Sequence, residues 1–516
     1  MATTTRRNFL ESVGCGMLIA GLGTTLSSDL GVSRAFAGEG ADELSFGEYD
    51  ALVDLLQSTP AEQLQPILIK KLADGGTDLK QLIAAAALAN AETFGGEDYV
   101  GFHTAMAMIP ALQMTELLPS ERRPLPVLKV LYRNTQQIQQ FGGASKKTLR
   151  EMHAAEEATV ENRGVAIRDA CRTADVELAE KLFASLAHAP LADAFNALQP
   201  VMQDDINVHR FVFAHRTHGL ARLLGKEHAY TILRQCVRFC CEHEEPRLAK
   251  KYPESPIRAL MPKLLDQYKL AGKKPGHRDP GDAAVEALGR TIYDGPAERS
   301  AEAAAAALAE GISSEVVGEA ISLASNLLVL RQGPDKWRAH GDSAGVHSSD
   351  ATNAWRNMAR IAEPLHAMSG LIVAAYHSAA HTPFHTDAYP LDEHRAAIKA
   401  TEPEALLAAA EDAVRNNDQG RAAAAIAIYG ERGHAPEAVY ERMLKYTISE
   451  DGRLHGEKYF QTVQEEFITT RPAFRWRQLV GLARVTASAY GYDRDDKHGR
   501  RAPGYEEACK LLKVAT

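Results

Sequence analysis

Cysteine is scarce in this chain, six in 516 residues, and Cys-x-x-Cys-His is absent, which excludes covalently attached c-type haem by that signature. Aromatic residues reach only 7%, a level that argues against a mostly β sandwich or barrel. Positive charge is not in excess. The 58 basic and 67 acidic residues leave a formal charge of −9, so no overall positive field exists to hold a polyanion and nucleic acid is not an expected partner. Walker A loops, EF-hand loops and His-Glu-x-x-His are missing too. The sequence does hold 45% hydrophobic residues with heavy use of alanine, the balance of a globular helical protein with a proper buried core.

The first forty residues read as an address. Thr5-Arg6-Arg7-Asn8-Phe9-Leu10 opens a basic segment, an uncharged glycine-bearing run extends from Ser12 to Ser28, and Ala35-Phe36-Ala37 offers a small-x-small cleavage site before Gly38. The paired arginines followed by an apolar pair resemble a twin-arginine translocation signal. This layout divides the chain into a signal peptide, 1–37, and an exported mature protein that is periplasmic or secreted, with the export machinery as a partner. At 17 residues the uncharged run falls short of a membrane span, so no stable membrane anchor is expected. The twin-arginine route carries proteins that fold before export, many with a cofactor already loaded. Five cysteines survive cleavage, Cys171, Cys236, Cys240, Cys241 and Cys509, and an odd count leaves at least one thiol unpaired within the chain.

Helix signals recur along the mature chain. Ser45 with Glu48, Thr59 with Glu62 and Thr401 with Glu404 have capping-box spacing, and Gly75-Gly76 reads as a stop. Apolar residues at three and four spacing run through Leu79–Leu88, Val127–Ile138, Phe211–Leu224, Ile321–Leu330 and Leu479–Val485. The breaker-rich stretch 271–282 is a linker candidate, separating an N-terminal half, 38–270, from a C-terminal half, 283–516. An ungapped alignment of 208–244 with 346–382 keeps eight of 37 positions: Val208/Val346, His209/His347, Ala221/Ala359, Arg222/Arg360, His228/His366, Ala229/Ala367, Leu233/Leu371 and His243/His381. The expected fold is therefore all-α: stacked helix-turn-helix repeats forming two similar halves, an α-solenoid-like or α/α array.

Histidine openings recur more widely. Gly101-Phe102-His103 and Arg453-Leu454-His455 also place a histidine at the start of a helical pattern, with 106 residues from His103 to His209 and 108 from His347 to His455. These openings resemble the questin oxidase-like family, whose repeats carry an aromatic-histidine pair ahead of an alanine-rich helix. Phe102-His103 matches that pair; Val208-His209, Val346-His347 and Leu454-His455 keep the histidine behind an aliphatic residue. The resemblance covers these repeat openings, about a third of the mature chain, and it implies oxygen-dependent opening of aromatic polyketide rings.

His103, His209, His347 and His455 are thus the leading catalytic candidates, because equivalent helix starts in stacked units converge on one interior. Neutral imidazoles there would ligate a transition metal or haem iron, or shuttle protons; the other reading has each bracing a repeat junction through a backbone carbonyl. His228, His366, His377 and His381 form a second set, read as metal ligands, with His377 and His381 four apart on one helical face and His385 and Asp387 following. Cys236, Cys240 and His243 share a face, yet positions seven apart lie about 10 Å from each other along a helix, so buried thiols are the simpler account. Gly341-Asp342-Ser343-Ala344-Gly345 has the pattern of a hydrolase elbow but lacks the preceding strand.

Two functions follow. One is an exported oxidoreductase acting on an aromatic or apolar small molecule through interior histidines; the other is a non-catalytic helical repeat protein presenting a binding face to a partner. Export is testable first. Replacing Arg6 and Arg7 by lysine traps precursor in the cytoplasm on this account, read by fractionation and immunoblot; mature protein outside the membrane at the normal level overturns it.

Overall fold

The computed structural model describes residues 43–154, 162–331, 343–381, 391–449, 454–490, 502 and 504–516. The signal segment, 1–37, lies outside them. Among the described residues there are 23 α-helices and no strand, so the fold is all-α as expected. They fall into four successive groups. The first holds α1 (Asp50–Ser58), α2 (Ala61–Ala73), α3 (Leu79–Phe94), α4 (Tyr99–Met114) and α5 (Leu125–Phe141). The second holds α6 (Arg163–Arg172), α7 (Val176–Ala184), α8 (Leu191–Met202), α9 (Val208–Leu224) and α10 (Lys226–Lys250). The third runs through α11 (Ile257–Gln267), α12 (Asp282–Asp294), α13 (Ala297–Ala309), α14 (Ser314–Arg331), α15 (Ala344–Ala359) and α16 (Pro364–Ala379). The fourth comprises α17 (Leu391–Ala397), α18 (Pro403–Arg415), α19 (Gln419–Glu431), α20 (Pro436–Thr447), α21 (His455–Thr469) and α22 (Trp476–Ala489), with α23 (Tyr505–Leu512) after it. In each group the penultimate helix carries one of the four leading histidines.

Local chemistry explains most boundaries, although not always the chemistry expected. None of the three expected capping boxes forms: α1, α2 and α18 have Tyr49, Pro60 and Glu402 at their N-caps, and no side chain bonds there. Ser45 instead donates to Asp50 at 3.1 Å, and Pro60 displaces Thr59 from the cap position. The reciprocal box forms at Asp78 and Gln81, opening α3. Single caps by Asp98, Asn207 and Ser343 start α4, α9 and α15. Gly75 takes φ +67° just after α2 ends, as its stop reading requires.

Residues 271–282 are tied down. Arg278 N–H donates to the Gly311 carbonyl and Ser313 N–H to the Arg278 carbonyl, both at 3.0 Å, making two isolated parallel bridges. One buried hydrophobic cluster extends through residues on both sides of this stretch, from Leu88 and Phe213 to Trp355 and Phe460. The aligned repeat has its counterpart in space: α10 begins at Lys226 and α16 at Pro364, equivalent positions of the alignment. His243 and His381, also aligned, each donate Nδ1–H to the carbonyl four residues back, at 2.8 and 2.9 Å.

The four histidine-bearing helices close on themselves: α4 packs on α9, α9 on α15, α15 on α21, and α21 back on α4. Two glycines set how closely they approach their neighbours. A Cβ at Gly101 would meet the Phe94 ring at 2.6 Å, and one at Gly345 would meet Val329 N at 2.7 Å, so each histidine two residues later enters on a helix pressed against the preceding one. Polar clamps fix α21, the closing member. Lys129 of α5 pairs with Glu457, and Glu466 accepts from Ser322 at 2.5 Å, from Asn353 at 3.1 Å and from Arg356. Lys129 and Glu457 are both buried, so removing one partner strands the other's charge. Lys129→Met is therefore expected to cost about 3–5 kcal/mol of unfolding free energy by denaturant titration, and the double variant Lys129→Met/Glu457→Leu to recover most of it. A loss below about 1 kcal/mol in the single variant contradicts the clamp.

Candidate functional site

Helix closure brings the four leading histidines face to face. Ring centroids are 4.9 Å apart for His103 and His209, 5.8 Å for His209 and His347, 5.5 Å for His347 and His455, and 5.0 Å for His455 and His103. The circuit of rings follows the circuit of helices. His103 and His455 are buried, while His209 and His347 are half-buried and keep accessible surface. His103 donates Nδ1–H to the Tyr99 carbonyl at 2.7 Å, which leaves Nε2 as the lone-pair nitrogen. The buried Nε2 atoms of His103 and His209 have no hydrogen-bond partner among the described residues.

The electrostatics keep these rings neutral. Burial pushes the His103 imidazole well below its ordinary range, with the Lys458 ammonium and the neighbouring His209 adding to the effect. His209 is lowered likewise, by burial first, then by His347 and Lys458. Below the ring lies a charged layer. Lys458 follows His455 by three residues and Asp350 follows His347 by three, each on the same helical face as its histidine. Burial brings Lys458 down to about 8 and Asp350 up to about 6, and each offsets part of the other's shift. Asp350 accepts from Thr462 at 2.8 Å, and Arg216 of α9 stands 3.5 Å from Thr462 and 3.9 Å from Glu465. Aromatic residues wall the ring on the α4 side: Tyr99 lies 4.3 Å from His103, Phe102 5.3 Å from His209, and Phe239 5.1 Å from Phe102.

The second set of histidines is split. His377 and His381 are buried neighbours at 4.8 Å, and His377 stacks edge-on to Phe211 at 5.4 Å, close enough to the ring for His347 to depress its basicity. His228 instead packs on Phe46 and Tyr49 at 6.1 and 5.8 Å, and His366 sits at the start of α16, where its carbonyl accepts from Gln203. These two mark matching helix starts, apart from the ring. His385 and Asp387 lie outside the described residues. Among the described residues no group of three or more His, Cys, Asp or Glu is placed to hold a metal ion. The ring therefore has the right donor chemistry without a ligand arrangement among the described residues.

The remaining candidates are structural. Cys236 meets Thr217 Oγ1 at 3.1 Å and burial raises its thiol to about 12, while Cys171 and Cys241 face each other with sulfurs 3.2 Å apart. All five described cysteines are buried and unoxidised. Ser343 is the N-cap of α15, its hydroxyl accepting from Val346 N–H; Gly341 and Asp342 lie outside the described residues. Sequence reasoning missed Lys458, Asp350 and Arg216. Their signal was the helical offset of three from His455 and His347 and of seven from His209, which points them to the same face.

No protein-family model matches the chain, and no curated protein or solved structure matches it either.

Neutral buried imidazoles make a linkage prediction. A histidine whose native pKa is depressed binds protons more readily when unfolded, so stability falls as pH drops below the unfolded value near 6.5 and continues to fall until the native group titrates, about 4 for His243. Each such group removes about 1.4 kcal/mol per pH unit in that window. The melting temperature is expected to drop steeply between pH 6.5 and 5, and less steeply in His209→Gln. A flat profile over that range contradicts the buried neutral ring.

Proposed function

We propose that this chain is an exported oxidoreductase that binds an aromatic or largely apolar small molecule against the four-histidine ring. The observation that carries the reading is the convergence of four imidazoles, one from each of four helices, on one interior. Histidines that merely brace repeat junctions would each bond a local carbonyl at a separate helix pair. His103 does bond the local Tyr99 carbonyl through Nδ1, but its ring also faces those of His209 and His455, and the buried Nε2 atoms of His103 and His209 are left without partners beside Tyr99 and Phe102. Polar acceptors ringed by aromatic surface suit a planar apolar ligand with a few acidic protons.

Neutral imidazoles take such protons as general bases. Desolvation penalises an isolated imidazolium, but not one formed beside the anion it has just created, so proton transfer and anion formation are coupled in this site. An electron-rich aromatic anion is the form that yields electrons to dioxygen, the oxidant implied by the resemblance of the repeat openings to the questin oxidase-like family. The twin-arginine leader supports delivery of the folded protein outside the cytoplasm.

The test uses natively exported protein and a panel of hydroxylated aromatic compounds, with dioxygen uptake as the readout. His103→Gln and His209→Gln are expected to lower kcat/KM by about a hundredfold or more while circular dichroism stays unchanged. Full activity in both variants overturns the acid–base role. Elemental analysis and an absorption spectrum of the same protein complete the test: a stoichiometric metal or a haem band contradicts the metal-free mechanism.

A further inference from the structure

Lys458 is a buried charge held without direct contact, felt by Asp350 and Glu457 only through space. Its side chain is 2% exposed, yet no hydrogen bond or ion pair reaches it among the described residues. Lys129, buried to the same degree, shows the usual solution: it pairs with Glu457 and donates to the Thr447 carbonyl. Asp350 and Glu457 offset only part of the several kcal/mol of solvation that a buried ammonium loses, so its retention calls for something other than stability.

The surroundings say what it faces. Among groups on the ring helices, Arg216 is engaged with Thr462 and Glu465, Glu457 with Lys129, and Asp350 with Thr462. Helix α4 contributes His103 with Tyr99 beside it, and α9 adds His215, which burial keeps neutral. Lys458 lies one turn beyond His455, and its charge is felt at both His103 and His209, whose Nε2 atoms lack partners. The histidines also lie within the first five residues of their helices: fifth residue of α4, second of α9, fourth of α15 and first of α21. Four positive helix ends therefore point at the same place. An ammonium, two open imidazole nitrogens and four helix N-termini are complementary to a negative oxygen that appears on the ligand after it has entered neutral.

We propose that Lys458 is the oxyanion anchor of the site: it holds the phenolate or enolate oxygen of an acidic aromatic hydroxy compound whose proton has passed to Nε2 of His103 or His209. The O–H bond breaks, an N–H bond forms on the imidazole, and the summed charge of ligand and imidazole does not change. This inference rests on the small-molecule reading above and adds the ligand class, acidic phenols and enols over neutral arenes. It also makes Lys458 a group in contact with the reacting oxygen, in the manner of electrostatic stabilisation by preorganised donors.

Two probes separate this inference from the reading beneath it: 4-nitrophenol, whose phenolate absorbs at longer wavelength than its neutral form, and 4-nitroanisole, which has no proton to lose. Both are added to the full exported chain below the pH at which free 4-nitrophenol ionises, with binding followed by equilibrium dialysis and ionisation by absorbance. Wild type is expected to bind both and to show the phenolate band only with 4-nitrophenol. Lys458→Met is expected to keep 4-nitroanisole binding and lose at least tenfold of the phenolate band; Lys458→Arg restores part of the band. Bound 4-nitrophenol that stays neutral in wild type, or an undiminished band in Lys458→Met, overturns the oxyanion role and leaves the small-molecule site standing. Binding of 4-nitroanisole without 4-nitrophenol overturns the oxyanion role alone, and failure of both probes to bind overturns both.

Discussion

Burying polar groups at the centre of a helical ring is the constraint on which the rest of this structure depends. Imidazoles, an ammonium and a carboxylate occupy an interior where each charge must be matched or suppressed. The fold answers in two ways. Around the rim it matches charges, with Lys129 against Glu457, Arg356 against Glu466 and Arg216 against Glu465, and these same pairs lock α21 into the circuit. At the centre it suppresses them, holding His103 and His209 neutral and shifting Lys458 and Asp350 towards their uncharged forms. The rim is what stability asks for, while the centre gathers groups whose ionisation burial has shifted, the pattern on which the proposed function rests.

Closure of the ring follows from small residues and caps more than from large apolar contacts. Gly101 and Gly345 let two histidine helices press onto their predecessors. Asp98, Asn207 and Ser343 start three of them at the right residue. The fourth entry is different: Leu454 takes φ +60° directly before His455, a left-handed conformation that costs a leucine about 1–2 kcal/mol. The surrounding structure imposes that conformation, and it aims the last imidazole at His103 and His347.

The sequence made the helices, the repeat and the four histidines legible, because 3.6-residue periodicity and equal spacing are local signals. His209 and His347 aligned in sequence and meet in space; His103 and His455, found only by looser spacing, complete the circuit. Capping was misread at Thr59 and Thr401, since a proline or glutamate after the threonine takes the cap position, and the true box at Asp78 was passed over. The linker reading of 271–282 missed its bridges to 311–313, a pairing between distant segments that no local pattern announces. His228 and His366 shared a repeat position with each other but not a site. Lys458 went unnoticed because an isolated lysine on an amphipathic helix ordinarily lies on the solvent face, and only packing by α4 and α15 reveals that α21 has no such face there.

That four imidazoles share one interior is the central claim, and histidine-selective ¹⁵N NMR of the purified protein tests it most directly. With assignments from single His→Gln variants, the account predicts ring-proton contacts between His103 and His209 and between His103 and His455. It also predicts nitrogen shifts of the neutral form for His103 and His209 persisting to pH 5.5, with the proton of His103 on Nδ1. Separate imidazoles without mutual contacts, titrating near 6.5 as solvated side chains do, would contradict it.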